Sequence, residues 1–149
     1  MNNNLKTKDY LDNLKNELLN SKRLNIEISK SWNSNFPNET GVYIFFEDGN
    51  IVYVGETTSL KERMRDVLRT FNHTLRRKIG KNNFENHKNY TKASSTNKYH
   101  PDIEIEIDRW LIDKMEMSFL PVFLGRKELE ELMVKEYNPK YNSRTRRGK

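Results

Sequence analysis

Four side chains stand where the surrounding sequence makes them chemically informative: two tyrosines in apolar runs, an arginine on a helix flank and a glutamate inside an apolar helix stripe. The runs Val42-Tyr43-Ile44-Phe45-Phe46 and Ile51-Val52-Tyr53-Val54 flank Glu47-Asp48-Gly49-Asn50. Asp-Gly between β-rich runs marks a hairpin. A two-residue loop at Asp48-Gly49 would put the two phenols on opposite faces, because side chains alternate. A three-residue loop, Glu47-Asp48-Gly49, would set Tyr43 directly across from Tyr53, and this second arrangement is expected. Taken alone, the pair reads as two core aromatics. Arg63 lies about 40° beyond Val67 on a helical wheel, with Lys61 on the other flank, so the wheel does not single it out. By itself it is a surface arginine, although its planar fork can pin a phosphate. Near the C-terminus, Leu129, Leu132, Met133, Val134 and Tyr137 form an apolar arc. Glu130 falls inside that arc, where a carboxylate is costly unless paired or metal-bound. Glu136 does so too, and either can be a core-edge glutamate paired to an arginine.

These residues need a frame. Asp9 to Leu19 carries Leu11, Leu14, Leu18 and Leu19 at helical spacing, which predicts an amphipathic helix outside the main sheet. Ser31 to Thr40 reads as a loop anchored by Trp32 and Phe36. Both faces of the hairpin are apolar, so it should be covered on both sides. Ser59-Leu60-Lys61-Glu62 is a capping box that opens a helix to about Arg69, with Leu60, Met64, Val67 and Leu68 as its buried stripe. A second helical piece follows through Leu75 and Ile79 to Gly80. Lys81 to about Pro101 is polar and reads as an insertion or long loop. Ile103, Ile105 and Ile107 alternate with Glu104, Glu106 and Asp108, which fits a strand, while Trp110-Leu111-Ile112 could extend a helix instead. Met115 to Phe123 predicts a third strand, and Gly125 leads into a helix from Arg126 to Tyr137 stopped by Asn138-Pro139. The expected fold is α+β: a small three-stranded antiparallel sheet with a central hairpin, flanked by helices. It forms one domain over 1–149, divided into an N-terminal helix and loop (1–40), the hairpin and first helix (41–80), an insertion (81–112), and the third strand, last helix and basic tail (113–149).

Composition bounds the function. The chain has 149 residues, 34% hydrophobic and 32% charged, which suits one domain with a modest core and long solvated segments. No run of about 18 apolar residues is present, so no membrane span is expected. The N-terminus lacks the apolar stretch of a signal peptide, and cytoplasm is the default compartment. Without cysteine there is no disulfide scaffold or thiolate metal site. The formal charge of +6 and a pI near 9.4 favour a polyanionic partner. Arg76, Arg77 and Lys78 cluster mid-chain, and Arg144, Arg146, Arg147 and Lys149 crowd the C-terminus. His87 and His100 read as loop residues, and three scattered histidines do not make a zinc site.

Four elements in order resemble the GIY-YIG nucleases. Gly41-Val42-Tyr43 and Tyr53-Val54-Gly55 are similar to the two elements that name that family, each with valine for isoleucine. Arg63 stands at its arginine position and Glu130 at its metal-ligand position. Tyr137-Asn138-Pro139-Lys140-Tyr141-Asn142 is similar to its closing segment, with Asn142 at the asparagine position. The resemblance covers Gly41 to about Asn142. One departure is Val67, where some relatives carry a histidine or tyrosine one turn after the arginine; His73 is the candidate replacement, with a surface histidine as the competing reading.

The resemblance implies Mg²⁺- or Mn²⁺-dependent hydrolysis of a DNA phosphodiester. Glu130 would hold the metal, with waters in the remaining positions. Tyr43 would be the general base, Tyr53 would position water or phosphate, and Arg63 would stabilise charge in the transition state. Asn142 would orient the tail or a phosphate. Arg76, Arg77, Lys78, Arg144, Arg146 and Arg147 would supply backbone affinity. A binding module that kept the fold and lost catalysis is the alternative, and RNA is the less favoured substrate. Monomer and homodimer both remain open.

Overall fold

Asp48 and Gly49 turn the hairpin with positive φ angles of 51° and 82°. Two consecutive left-handed residues are the tight turn that Asp-Gly favours. The loop therefore has two residues, not three, and alternation alone would separate Tyr43 from Tyr53. A bulge prevents this. Glu47 pairs with Asn50 and Phe46 with Ile51, but Phe45 pairs with Tyr53, so Val52 is the extra residue. Beyond it the two tyrosines share a face, with Tyr43 opposite Gly55 and Tyr53 diagonal to it. The expected face is correct; the device that produces it, and the direct pairing, are not.

A computed structural model describes residues 3–142. Its elements are α1 (Asn3–Leu19), β1 (Leu24–Asn25), a 3₁₀ turn (Trp32–Asn35), β2 (Gly41–Glu47), β3 (Asn50–Thr57), α2 (Leu60–Val67), α3 (Thr74–Phe84), α4 (Pro101–Lys114), β4 (Met115–Pro121) and α5 (Arg126–Tyr137). The sheet has four antiparallel strands in the order β1-β4-β2-β3, which corrects the three-stranded expectation. The added strand is two residues long, Leu24 on Met117 and Asn25 on Glu116, too short to show alternation in sequence. β3 lies at an edge of the sheet, so the hairpin is not central to it.

Among the described residues five α-helices cover the sheet, more than a simple flanked hairpin. Val42, Ile44, Phe46 and Val54 pack with α1 and α5 through Leu18, Leu129 and Met133. Tyr43, Phe45 and Tyr53 pack on the other face with residues of α2, α3 and α4.

The isoleucine stretch expected as a strand is α4. His100 caps it by accepting the Asp102 amide at 3.1 Å, Pro101 opens it, and Asp102 and Glu104 face its positive end. Ile103, Ile107 and Leu111 recur every four residues and are fully buried, whereas Ile105 is half exposed. Period two and period four share Ile103 and Ile107, and the helix-start signals decide between them.

Arg76 is 2% exposed in a junction between α3 and α4. Its guanidinium meets Asp108 at 2.6 Å and Glu104 at 2.7 Å, and donates to Thr70 at 3.3 Å. A charge so committed cannot serve as a phosphate contact, which corrects its assignment to the basic cluster. Breaking a buried pair costs about 3–5 kcal/mol. Arg76→Met is expected near the lower end of that range, because both carboxylates are partly hydrated, and urea denaturation measures it.

Candidate active site

Tyr43 is 1% exposed and lies against Gly55. A Cβ at Gly55 would sit 2.3 Å from the Tyr43 Cζ and Oη atoms, so glycine there makes room for the ring. The Tyr53 ring stacks beside it, with centroids 6.1 Å apart at 27°. These contacts give the second glycine and both tyrosines of the strand motifs a physical reason.

His73 completes the cluster. It caps α3, its Nδ1 accepting the Leu75 amide at 3.0 Å. Neutral His73 therefore carries its proton on Nε2, which lies 2.8 Å from the Tyr43 hydroxyl oxygen and donates to it. Arg63 donates to the same oxygen through Nε at 3.4 Å, a weaker bond. Its Nη1 donates to the Asn72 carbonyl at 3.2 Å and lies 3.6 Å from Asp66. The Tyr53 hydroxyl is 3.4 Å from Thr74 Oγ1. Tyr43, Tyr53 and His73 are buried; Arg63, with its side chain 31% exposed, is the member that reaches solvent.

Burial pushes the Tyr43 phenol well above its ordinary pKa, and the neighbouring Tyr53 adds to this; the Arg63 guanidinium opposes them. At neutral pH the phenol holds its proton. Yet two N–H groups point at its oxygen, an arrangement that favours negative charge there once a reaction draws the proton off.

Glu130 is 1% exposed on α5, one of the three residues of that helix that are buried. The first turn of α5 is tied to β3 by Arg126, which meets Glu56 at 2.8 Å. One further turn carries Glu130 about 6 Å along the helix, on the same side as Arg126. Among the described residues no group of three or more His, Cys, Asp and Glu could hold a metal ion. A cation at Glu130 would thus have no cage of three or more such side chains and would keep several waters. That donor set fits magnesium, which keeps several waters and takes one or two carboxylates.

Asn142 sits at the outer edge of β3. Its amide accepts from the Val54 N–H and donates to the Val54 carbonyl, both at 2.9 Å, and the Tyr141 amide donates to the Val52 carbonyl at 2.9 Å. The closing segment therefore pairs with an otherwise open sheet edge. Asn142 holds the closing segment to this strand, and its contacts are to backbone.

Arg77 is half-buried and donates to the Thr70 and Phe71 carbonyls at 3.0 Å, gripping the loop before His73. Lys78 is half-buried beside it. Val67 is fully buried. Arg144, Arg146 and Arg147 lie outside the described residues. Glu47, read in sequence as part of the turn, is a buried junction that accepts from Trp110 at 2.9 Å, Lys140 at 2.7 Å and Tyr141 at 2.9 Å. Burial would raise its carboxyl pKa, but Lys140, Trp110 and Tyr141 together hold it below the usual value. Its partners come from distant segments, so no local pattern points to it.

The fold and site define a small α+β domain with a buried tyrosine pair on adjacent strands, backed by a histidine and an arginine. The model of the GIY-YIG catalytic domain matches residues 18–148, and the chain belongs to that family. Among solved structures it is similar to a point mutant of the N-terminal endonuclease domain of UvrC from Thermotoga maritima bound to its catalytic divalent cation: 24% identity, 78% of this chain and 96% of that one, TM-score 0.43. The same domain bound to magnesium gives 23% identity, the same coverage and a TM-score of 0.41. A mutant of EndoII from bacteriophage T4 gives 13% identity over 89% of this chain and 98% of that one, with a TM-score of 0.41. No curated protein matches by sequence.

Proposed function

We propose that the chain is a DNA endonuclease that hydrolyses phosphodiester bonds with one magnesium or manganese ion. One observation carries the reading: the Tyr43 oxygen, buried beside Gly55, is held between the His73 Nε2–H and Arg63. A packing tyrosine needs no such pair of donors. A phenol that must lose its proton to activate water does, because the donors stabilise the phenolate.

Arg63, the solvent-reaching member, would meet the scissile phosphate and balance charge in the transition state. Tyr53 would orient water or phosphate, held in place by its stack on Tyr43 and by Thr74. Glu130 would hold the cation. When bound, the metal supplies Lewis-acid neutralisation of a phosphate oxygen and of the leaving oxygen. No helix among the described residues is long and apolar enough to cross a membrane. One site per chain cuts one strand, so a duplex break would need a second copy or a second visit.

The test is incubation of the full chain with supercoiled, linear and single-stranded DNA, with Mg²⁺, Mn²⁺ or chelator. Nicked or linear products that need the cation are expected. DNA binding without any cutting would leave the silent binding module, and preference for RNA over DNA across a salt titration would move the substrate class.

A further inference from the structure

The most exposed large apolar side chain among the described residues is Phe123, 97% exposed, followed in sequence by Leu124 at 68%. They form the tip of the loop between β4 and α5, and none of the contacts above uses them. The loop is braced from behind. Thr40 bonds both backbone groups of Val122, accepting its N–H at 2.9 Å and donating to its carbonyl through the hydroxyl. Tyr10 donates to the Leu124 carbonyl at 2.7 Å, and Gly125 turns the chain into α5 at a φ of 94°. Two apolar side chains are thus held outward on a fixed support, at a cost that packing would have avoided.

The placement says what they face. Pro121 pairs with Gly41, two residues before Tyr43 on β2. β4 ends at Pro121, so the Phe123 loop leaves the sheet at the end where β2, the strand of Tyr43, begins. Phe123 borders a cleft of about 380 Å³ with Asn38, Glu39, Thr40, Thr58 and Pro121. Glu39 puts a carboxylate in the cleft lining, which disfavours phosphate there. Lys61 and Lys127 are both exposed. Lys61 is in the first turn of α2, whose amides bond the Pro37 and Glu39 carbonyls beside the cleft. Lys127 is in the first turn of α5, which follows the loop, and both can take phosphates there.

We propose that Phe123, with Leu124 beside it, is a wedge that stacks on or enters a base step of the DNA flanking the cut. This deepens the nuclease reading and rests on it. The patch exposes on the order of 300 Å². A stable dimer buries about 800 Å² per partner, so a second copy of the chain fits it poorly. Aromatic and leucine side chains held out beside cations are the chemistry that bases accept, through stacking on their faces or insertion between them.

The experiment measures binding of the full chain to a fluorescein-labelled duplex in chelator, across a salt series, for the wild type, Phe123→Ala and Phe123→Trp. Phe123→Ala is expected to weaken binding about tenfold, the scale of one lost stack. The slope of affinity against salt stays unchanged, since no phosphate contact is removed. Phe123→Trp retains binding. An unchanged affinity for Phe123→Ala overturns the wedge, as does a sedimentation coefficient that falls on this substitution, which would make the loop a self-association surface. Because the assay needs no cleavage, the two readings fail separately. A wild type that binds through Phe123 without cutting sinks only the nuclease, and one that cuts regardless of Phe123 sinks only the wedge.

Discussion

Glu130→Gln is expected to lower metal-dependent DNA cleavage by about a thousandfold or more while the chain stays folded and still binds DNA. The substitution keeps the shape of a side chain that is 1% exposed on α5, so packing with Leu129 and Met133 survives. What it removes is the negative charge. Among the described residues no group of three or more metal-binding side chains stands by to hold the ion without it. A thousandfold loss corresponds to about 4 kcal/mol of transition-state stabilisation, within what a Lewis acid on a phosphoryl oxygen supplies. Single-turnover cleavage and Mn²⁺ titration of the same sample check both halves. Glu128→Gln, an exposed neighbour on the same helix, is the control and should cut at the wild-type rate. If Glu130→Gln binds Mn²⁺ as the wild type does, Glu130 is not the ligand.

Tyr43→Phe should cost about two to four orders of magnitude in the same assay, the range for loss of a general base. The ring stays over Gly55 and beside Tyr53, but the His73 and Arg63 donors lose their acceptor. A pH profile separates this from a packing effect. Burial raises the Tyr43 pKa well above the ordinary value of 10.0, so the phenolate is the minor form across the neutral range. Its fraction grows tenfold per pH unit, and cleavage should climb with pH on that slope until it meets the folded-state pKa. Tyr43→Phe should flatten the climb. Stability moves the other way. A raised folded pKa adds stability that is whole below the unfolded value near 10 and is lost as pH rises further, because the unfolded phenol ionises first. Burial raises Tyr99 and Tyr141 as well, so all three tyrosines weaken the fold at high pH. Tyr43→Phe removes only its own share, which a pH series of urea denaturations would show.

The site was legible where chemistry conflicts with its surroundings. Glu130 sits in an apolar arc, Tyr43 and Tyr53 lie in strands with two apolar faces, and the glycine after Tyr53 has a steric reason in the Tyr43 ring. The hairpin was legible from Asp48-Gly49, but its bulge was not. Which residue of a β-rich run goes unpaired depends on packing across both faces, which local pattern does not record. α4 was misread because alternation and helical spacing coincide at Ile103 and Ile107, and β1 is too short to carry any pattern. Arg76 shows the limit of charge counting. In sequence it is one of three adjacent cations, and only the fold brings Glu104 and Asp108 to it from α4. His73 was ambiguous for the same kind of reason, since its exposure depends on how the loop gripped by Arg63 and Arg77 is folded back.

That the strand tyrosine and the helix glutamate serve one cleavage step is tested most directly by a double-mutant comparison: single-turnover cleavage by Tyr43→Phe, Glu130→Gln and the two combined. Groups that act as a unit in one step are not additive. The combined variant should therefore cut no more slowly than the worse of the two singles. Losses that multiply in the combined variant would mean that the phenol and the carboxylate serve separate processes, and that no common site exists.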